Sequence, residues 1–176
     1  MKRAIHIFPT FHTPNKIQEI RKRYDPLSNK IPPHITLVFP FDSCIPQKEL
    51  IQHVESVANL FSPFSLTMNG MTGSDEEYLF LNVKQGNDPL IHLHDELYKG
   101  ILSSFRNVHI TYIPHMTLGR LADREKWTAV VEDYQDWAEN FQTVVKEIVV
   151  EEIGADEVAH IIGRVRLNEN RFQLQL

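Results

Sequence analysis

The sequence predicts an α+β protein of two lobes related by an approximate two-fold axis. Three observations carry this. Segments with the period of two that marks a strand alternate with segments of helical period. The order strand, helix, strand, helix, strand occurs twice. The pentad Pro-His-x-Thr-Leu is written at 33–37 and again at 114–118, its histidines 81 positions apart. From the chain's own amino-acid frequencies this pentad is expected about 0.002 times, so chance does not account for two copies.

The elements follow in order. "AIHIFPT" (4–10) is the first strand, and Thr13 as N-cap with Pro14 at the first helical position opens a helix with Ile17, Ile20 and Tyr24 on one face. "DPLSNKIPP" (25–33) breaks it. "HITLVF" (34–39) is the second strand, and after "DSCIP" a second helix carries Leu50, Ile51, Val54, Val57 and Phe61. "FSLTMNGM" (64–71) is a strand and "TGSDEE" (72–77) a turn, so the half-repeat boundary falls near 74–77. The order then restarts. "YLFLNV" (78–83) is a strand, and Asp88 and Pro89 form a cap pair before a helix with Leu90, Leu93, Leu97, Ile101 and Phe105 on its stripe. "HMTLG" (115–119) is the matching strand. Asp123 starts a fourth helix, with Trp127, Val130, Val131, Tyr134 and Phe141 in helical period. "TVVKEIVVEEIG" (143–154) and "VAHIIGRVRL" (158–167) are two closing strands, and "RFQLQL" (171–176) is a candidate last one.

At 176 residues with no linker, the chain reads as a single domain over 1–176 whose lobes share a cleft. A composition of 42% hydrophobic and 23% charged residues belongs to a globular protein. The net charge of −5 argues against holding long duplex nucleic acid through many phosphate contacts, while a short or terminal phosphate stays compatible with it. Local cations stand in "RKRY" (21–24), at Arg120 and Arg124, and in "GRVRL" (163–167). The apolar run at the start is broken by His6, Pro9 and His12, and no stretch approaches a membrane span. A lone cysteine, Cys44, excludes an internal disulfide and fits a reducing compartment, so the expected location is the cytoplasm, away from membranes.

Alternation along a strand puts His34 and Thr36 on one face and Ile35 and Leu37 on the other; His115 and Thr117 stand likewise against Met116 and Leu118. Each tetrad therefore anchors an apolar face in a core and offers an imidazole and a hydroxyl, roughly 6.6 Å apart, to the opposite side. A two-fold axis brings the two devices face to face. Histidine's ordinary pKa near neutrality lets one copy act as general base on a water or hydroxyl while the other acts as general acid on a leaving oxygen. The threonine hydroxyls can donate to non-bridging phosphate oxygens as charge develops. Neither step needs a metal or another cofactor.

"PPHITLVFPF" and "IPHMTLGR" resemble the paired His-x-Thr motifs of the 2H phosphoesterase superfamily, which includes the 2′-5′ RNA ligase-like proteins and RNA 2′,3′-cyclic phosphodiesterases. "RKRYDP" followed by "IPPHITL" looks especially like the bacterial YjcG-type phosphoesterases. The resemblance implies a bilobal fold, each lobe with a mainly antiparallel sheet and two helices around a central cleft. It implies a hydrolase acting on a small phosphodiester, nucleotide or RNA end, such as a 2′,3′-cyclic phosphate, with His34 as proton donor and His115 as proton acceptor beside Thr36 and Thr117. Near symmetry leaves that direction open on residues alone.

Substrate contacts are expected from four further residues. Gly119 falls in step with His115 and Thr117 and would let a ligand approach the backbone. Arg120 offers paired donors to phosphate, although parity puts it on the other face unless the strand twists or ends. Phe39 and Tyr112 are placed to stack on a base or to join the core. His92 and His94 stand two apart on a helix, so they share no face for a metal, and His94 and His53 read as boundary residues. Cys44 has no activating base in sequence. The alternative function is a non-catalytic nucleotide or phosphate binder that keeps the cleft. Retention of both histidines and both threonines favours the enzyme.

Overall fold

The computed structural model of the protein describes residues 1–12 and 15–169. It holds strands β1 (Lys2–Ile7), β2 (Ile35–Asp42), β3 (Phe64–Ser74), β4 (Tyr78–Gln85), β5 (His115–Arg120), β6 (Asn140–Val145), β7 (Glu147–Ile153) and β8 (Ala159–Arg166). The helices are α1 (Asn15–Tyr24), α2 (Gln47–Ala58), α3 (Asn87–Leu97) and α4 (Arg124–Asp133), and a 3₁₀ turn spans Gly100–Phe105. The expected cap at Thr13 and Pro14 and the candidate strand at 171–176 lie outside the described residues.

All eight strands form one sheet in the order β6-β3-β4-β5-β2-β1-β7-β8, and every neighbouring pair is antiparallel. The mixed α and β architecture with an antiparallel sheet is the one the sequence predicts. Its middle is its thinnest seam, since β2 and β5 share the single partner pair Ile35 and Met116. The halves of the chain are also interleaved. β3, from the first half, lies beside β4, and β7, from the second, lies beside β1. The helices cross over too, with α1 packed on β5 and α3 on β2, while α2 covers β7 and β8 and α4 covers β3.

The helices share one face of the sheet with Ile35, Leu37, Met116 and Leu118, all fully buried. Leu50, Val54, Leu90, Leu93 and Leu97 join them from the predicted helical stripes. Burying such side chains contributes about 1.5 to 3 kcal/mol each, and this layer holds the fold together.

Several boundaries differ from expectation. Phe141 lies in β6, not on the fourth helix, which ends at Asp133; its ring meets Phe11 and Trp137 from the sheet. The expected single strand at 143–154 is two, broken at Lys146, whose carbonyl accepts from Leu167 N at 2.8 Å. No turn-forming residue marks that break, so an unbroken Val/Ile run concealed it. The third helix begins at Asn87 after Gly86 at φ 98° and ends before Gly100 at φ 56°, a left-handed conformation that glycine adopts without a Cβ penalty. Ile101 and Phe105 therefore pack from the 3₁₀ turn. Phe61 lies beyond the end of α2 and packs on the core from there.

Candidate active site

On the face away from the helices stand His34, immediately before β2, Thr36 of β2, and His115 and Thr117 of β5, each half-buried. The antiparallel pairing of Ile35 with Met116, extended by one residue each way, sets His34 opposite Thr117 and Thr36 opposite His115. The two tetrads are cross-strand neighbours at the sheet's centre.

The repeated proline has a structural task. A residue that precedes proline is restricted to extended backbone, and here those residues are Pro32 and Ile113. Their carbonyls lie at 2.9 Å from His34 Nδ1 and 2.6 Å from His115 Nδ1. A carbonyl only accepts, so each Nδ1 carries its hydrogen and donates it, which leaves each Nε2 lone pair free. Burial pulls the His34 pKa down to about 4; the Pro32 carbonyl and Asp25 oppose this, while Arg21 and His115 add to it. Burial also lowers His115, against the Ile113 carbonyl. Both rings are neutral at pH 7.

Each ring rests on a second one. Phe80 stacks on His115 with centroids 3.7 Å apart, Tyr78 follows at 5.8 Å, and the Arg120 guanidinium sits 5.4 Å from the Tyr78 centroid while Nε donates to Glu77 Oε1 at 2.5 Å. Arg120 reaches this face because β5 bulges. Thr117 pairs with Phe80 and Gly119 with Leu79, so one extra residue reverses the parity beyond Leu118.

The same bulge corrects the expectation for Gly119. It is buried towards α1, where a Cβ would stand 2.6 Å from Tyr24 Cβ, so it approaches a helix and not a ligand. Phe39 and Tyr112 are also elsewhere. Tyr112 stacks on buried His94 at 3.8 Å, Phe39 lies edge-on to both at 6.5 Å, and Tyr98 OH accepts from Phe39 N. Their cluster belongs to the α3 side of β2, and Tyr112 supports the site only by donating from its hydroxyl to the Thr36 carbonyl at 2.8 Å. His94 Nδ1 donates to the Leu37 carbonyl at 2.8 Å, which makes it a core residue. Cys44 is exposed beyond the far end of β2 from His34.

Tyr78 and Phe80 were missed, although alternation in "YLFLNV" sets both opposite Leu79 and Leu81. His6 and Glu151 were missed as well. His6 pairs with Thr36 across β1 and β2, and its ring meets His34 edge-on at 4.5 Å. Behind it, His6 Nε2 lies 3.5 Å from Glu151 Oε2. A hollow of about 190 Å³ beside them is lined by Lys2, His6, Ile31, His34 and Thr36. A larger hollow of about 650 Å³, lined by Phe8, His12, Lys146 and Arg166 among others, contains none of the tetrad residues.

"RKRYDP" also has a physical explanation. Arg21 is 1% exposed, its Nε donates to Asp25 Oδ2 at 2.8 Å, and Nη2 donates to the Ile31 carbonyl at 2.9 Å. That buried pair ties α1 to the loop leading into His34.

Residues 9–157 match the family model described as the 2′-5′ RNA ligase superfamily. A Bacillus cytotoxicus protein named "Putative phosphoesterase" is 35% identical over 130 residues, which cover 71% of this chain and 73% of that protein. A Geobacillus thermodenitrificans protein of the same name is 32% identical over 123 residues, covering 68% and 69%. Among solved structures, a Thermus thermophilus protein superposes with a TM-score of 0.64 at 15% identity, covering 95% of this chain and 98% of the other. E. coli LigT complexed with 3′-AMP does so at 0.58 and 17%, with the same coverage.

Proposed function

The chain belongs to the 2′-5′ RNA ligase superfamily, the 2H phosphoesterases, and on that footing we propose that it hydrolyses a 2′,3′-cyclic phosphate or a related RNA or nucleotide phosphodiester by paired-histidine acid-base catalysis. The observation that carries the reading is the matched locking of the two imidazoles. Each donates from Nδ1 to the carbonyl two residues before it, so both Nε2 atoms are available on the face that also carries the two threonines. A binder needs no such pair of proton-transfer groups.

In this mechanism His115 Nε2 takes a proton from water as the oxygen attacks phosphorus. His34 gives the leaving oxygen a proton from Nε2 in its protonated form, which burial makes a minor form at pH 7. Thr36 and Thr117 donate to the non-bridging oxygens, where charge grows. Tyr78 and Phe80 offer a stacking surface for a base, and Arg120 at its end offers donors to a further phosphate. Structures of LigT complexed with 3′-AMP, NADP+ and ATP support nucleotides as the ligand class to test first.

The test is a panel of 2′,3′-cyclic nucleotides and short phosphodiesters assayed in EDTA. Turnover is expected, with His34→Ala and His115→Ala each reducing it by about 10² to 10⁴. Wild-type rates in either variant would sink the paired mechanism. No turnover across the panel, together with calorimetric nucleotide binding, would establish the binder instead.

A further inference from the structure

The catalytic face of the sheet continues past His34. Thr117 pairs with Phe80, His6 pairs with Thr36 on one side and with Val149 on the other, and Glu147 pairs with Arg166. Carried on to the neighbouring residues, these registers align Phe80, Thr117, His34, Phe8, Glu147 and Arg166 in one row from β4 to β8, all on one face. The Phe8 ring agrees with that alignment, since it lies edge-on to the His34 ring with centroids 6.1 Å apart. The Thr117 and His34 pair thus has an aromatic ring one strand away on either side, Phe80 and Phe8.

Beyond Phe8 the row ends in cations. Phe8, Lys146 and Arg166 line the hollow of about 650 Å³ that holds none of the tetrad residues. Lys146 and Arg166 are exposed, and among the described residues neither side chain makes an ion pair. Two acids line the same hollow, but Glu147 accepts from Arg164 Nη1, which leaves the exposed Glu169 carboxylate against two cations. Arg120, on the Phe80 side, is already bonded to Glu77. A strand spacing of about 4.8 Å puts the Arg166 backbone roughly 14 Å from that of His34, a span that one nucleotide fills when the arginine side chain reaches back over Glu147.

We propose that Phe8, Lys146 and Arg166 form a second substrate subsite, which takes the leaving nucleoside of a linear phosphodiester against the Phe8 ring and the next phosphate on the two cations. The proposal rests on the acid-base reading of the tetrads, in which His34 serves the leaving oxygen and so sets the leaving group on the Phe8 side. In that step the water oxygen bonds to phosphorus and gives a proton to His115 Nε2. The bond from phosphorus to the leaving oxygen breaks, and that oxygen takes the proton of His34 Nε2. The released nucleoside lies where Phe8 can stack on it, and a phosphate on its far hydroxyl meets donors from Lys146 and Arg166. A 2′,3′-cyclic phosphate keeps its leaving oxygen on the same ribose and sends nothing into this subsite. The substrate class is therefore a linear oligonucleotide with at least one further phosphate on the leaving side.

The deciding comparison is kcat/KM for a dinucleoside monophosphate with and without a terminal phosphate on its leaving nucleoside, in the 2′-5′ and in the 3′-5′ linkage. In wild type the added phosphate should raise kcat/KM by about tenfold, mainly through KM, and the gain should shrink as salt rises. In the double variant Lys146→Ala, Arg166→Ala the gain should vanish, with circular dichroism as the check on folding. Phe8→Leu keeps an apolar side chain beside His34 and should narrow the lead of the dinucleoside monophosphate over the methyl ester of the same nucleotide. Equal kcat/KM for the two substrates in wild type, or an undiminished gain in the folded double variant, would overturn the proposal. Calorimetry with the same two compounds separates it from the reading beneath it. If neither turns over but the terminal phosphate tightens binding to wild type and not to the double variant, the phosphoesterase reading falls and the subsite stands; turnover with no gain from the phosphate removes the subsite alone.

Discussion

Gly119→Ala separates two accounts of the same residue. If Gly119 faced a ligand, an added methyl would weaken binding and leave stability untouched. Instead its Cβ would lie 2.6 Å from Tyr24 Cβ, 3.1 Å from Leu79 Cδ1 and 3.2 Å from the Tyr24 carbonyl. Carbon atoms in ordinary contact stand about 3.5 to 4.0 Å apart, so α1 and β5 must separate by about 1 Å. A side-chain end could swing aside, but a Cβ and a carbonyl are fixed by the helix backbone. Gly119 is also absent from the positive-φ positions, so the cost is steric and not conformational. Overpacking of this kind costs about 1 to 3 kcal/mol. For a chain of this size that corresponds to a fall in melting temperature of roughly 2 to 12 °C. The assay is thermal melting followed by circular dichroism, with urea unfolding to confirm a lower midpoint at unchanged slope. An unchanged melting temperature with a raised KM would refute the bulge argument and return Gly119 to the cleft.

Asp25→Asn should destabilise the protein by about 3 to 5 kcal/mol, since it leaves the Arg21 charge buried without its partner; the urea midpoint reports it. Phe80→Ala removes both the support of His115 and the stacking surface, and should raise KM for nucleotides more than for a base-free cyclic phosphate, with stacking worth about 1 to 3 kcal/mol per base. His6, His34, His94 and His115 all have folded pKa values below the ordinary 6.5, so the stability they confer is present above pH 6.5 and is lost as pH falls towards the folded values. For His34 this amounts to at most about 3 kcal/mol between pH 7 and 4, and His34→Gln should flatten that part of the urea-midpoint profile. Glu151 has the opposite sign. Its folded pKa is raised to about 7, so its share of stability is present below the unfolded value of 4.5 and lost as pH rises through 7. Glu151→Gln should therefore be more stable than wild type at pH 8 by roughly 1 to 3 kcal/mol, with the difference closing in acid.

Local periodicity was enough to place the tetrads. Ile35, Leu37, Met116 and Leu118 face the core and their polar neighbours the other side because a strand alternates, and nothing distant interferes within four residues. The same rule failed one residue later at Gly119 and Arg120, because a bulge is a mismatch between two strands and β4 lies 30 or more residues earlier in the chain. Phe39 and Tyr112 were aromatic and close to the motifs, yet their faces were decided by His94 of α3 and by Tyr98 just past its end, which hold them. His6 stood in plain view between two isoleucines. Its meaning depended on Glu151, 145 positions away, and on strand β7 arriving beside β1. The break at Lys146 was hidden for a related reason, since the residues on both sides suit a strand and only the destinations differ.

The interleaving of the halves has a consequence during synthesis. When the first three strands have been made, β1 and β2 have each other, but β1's other neighbour is β7 and β3's partners are β4 and β6. Open edges rich in Ile, Leu and Val thus wait for residues up to 153, a long-range topology that folds slowly and exposes sticky strands meanwhile. A ribosome stalled before β7, or a truncation there, should yield aggregating chains and not a half-active lobe. The two histidines meet across β2 and β5, both complete by Arg120, but the sheet on the β2 side closes only when β7 arrives beside β1, so the surroundings of the pair are finished long after the pair itself has been made.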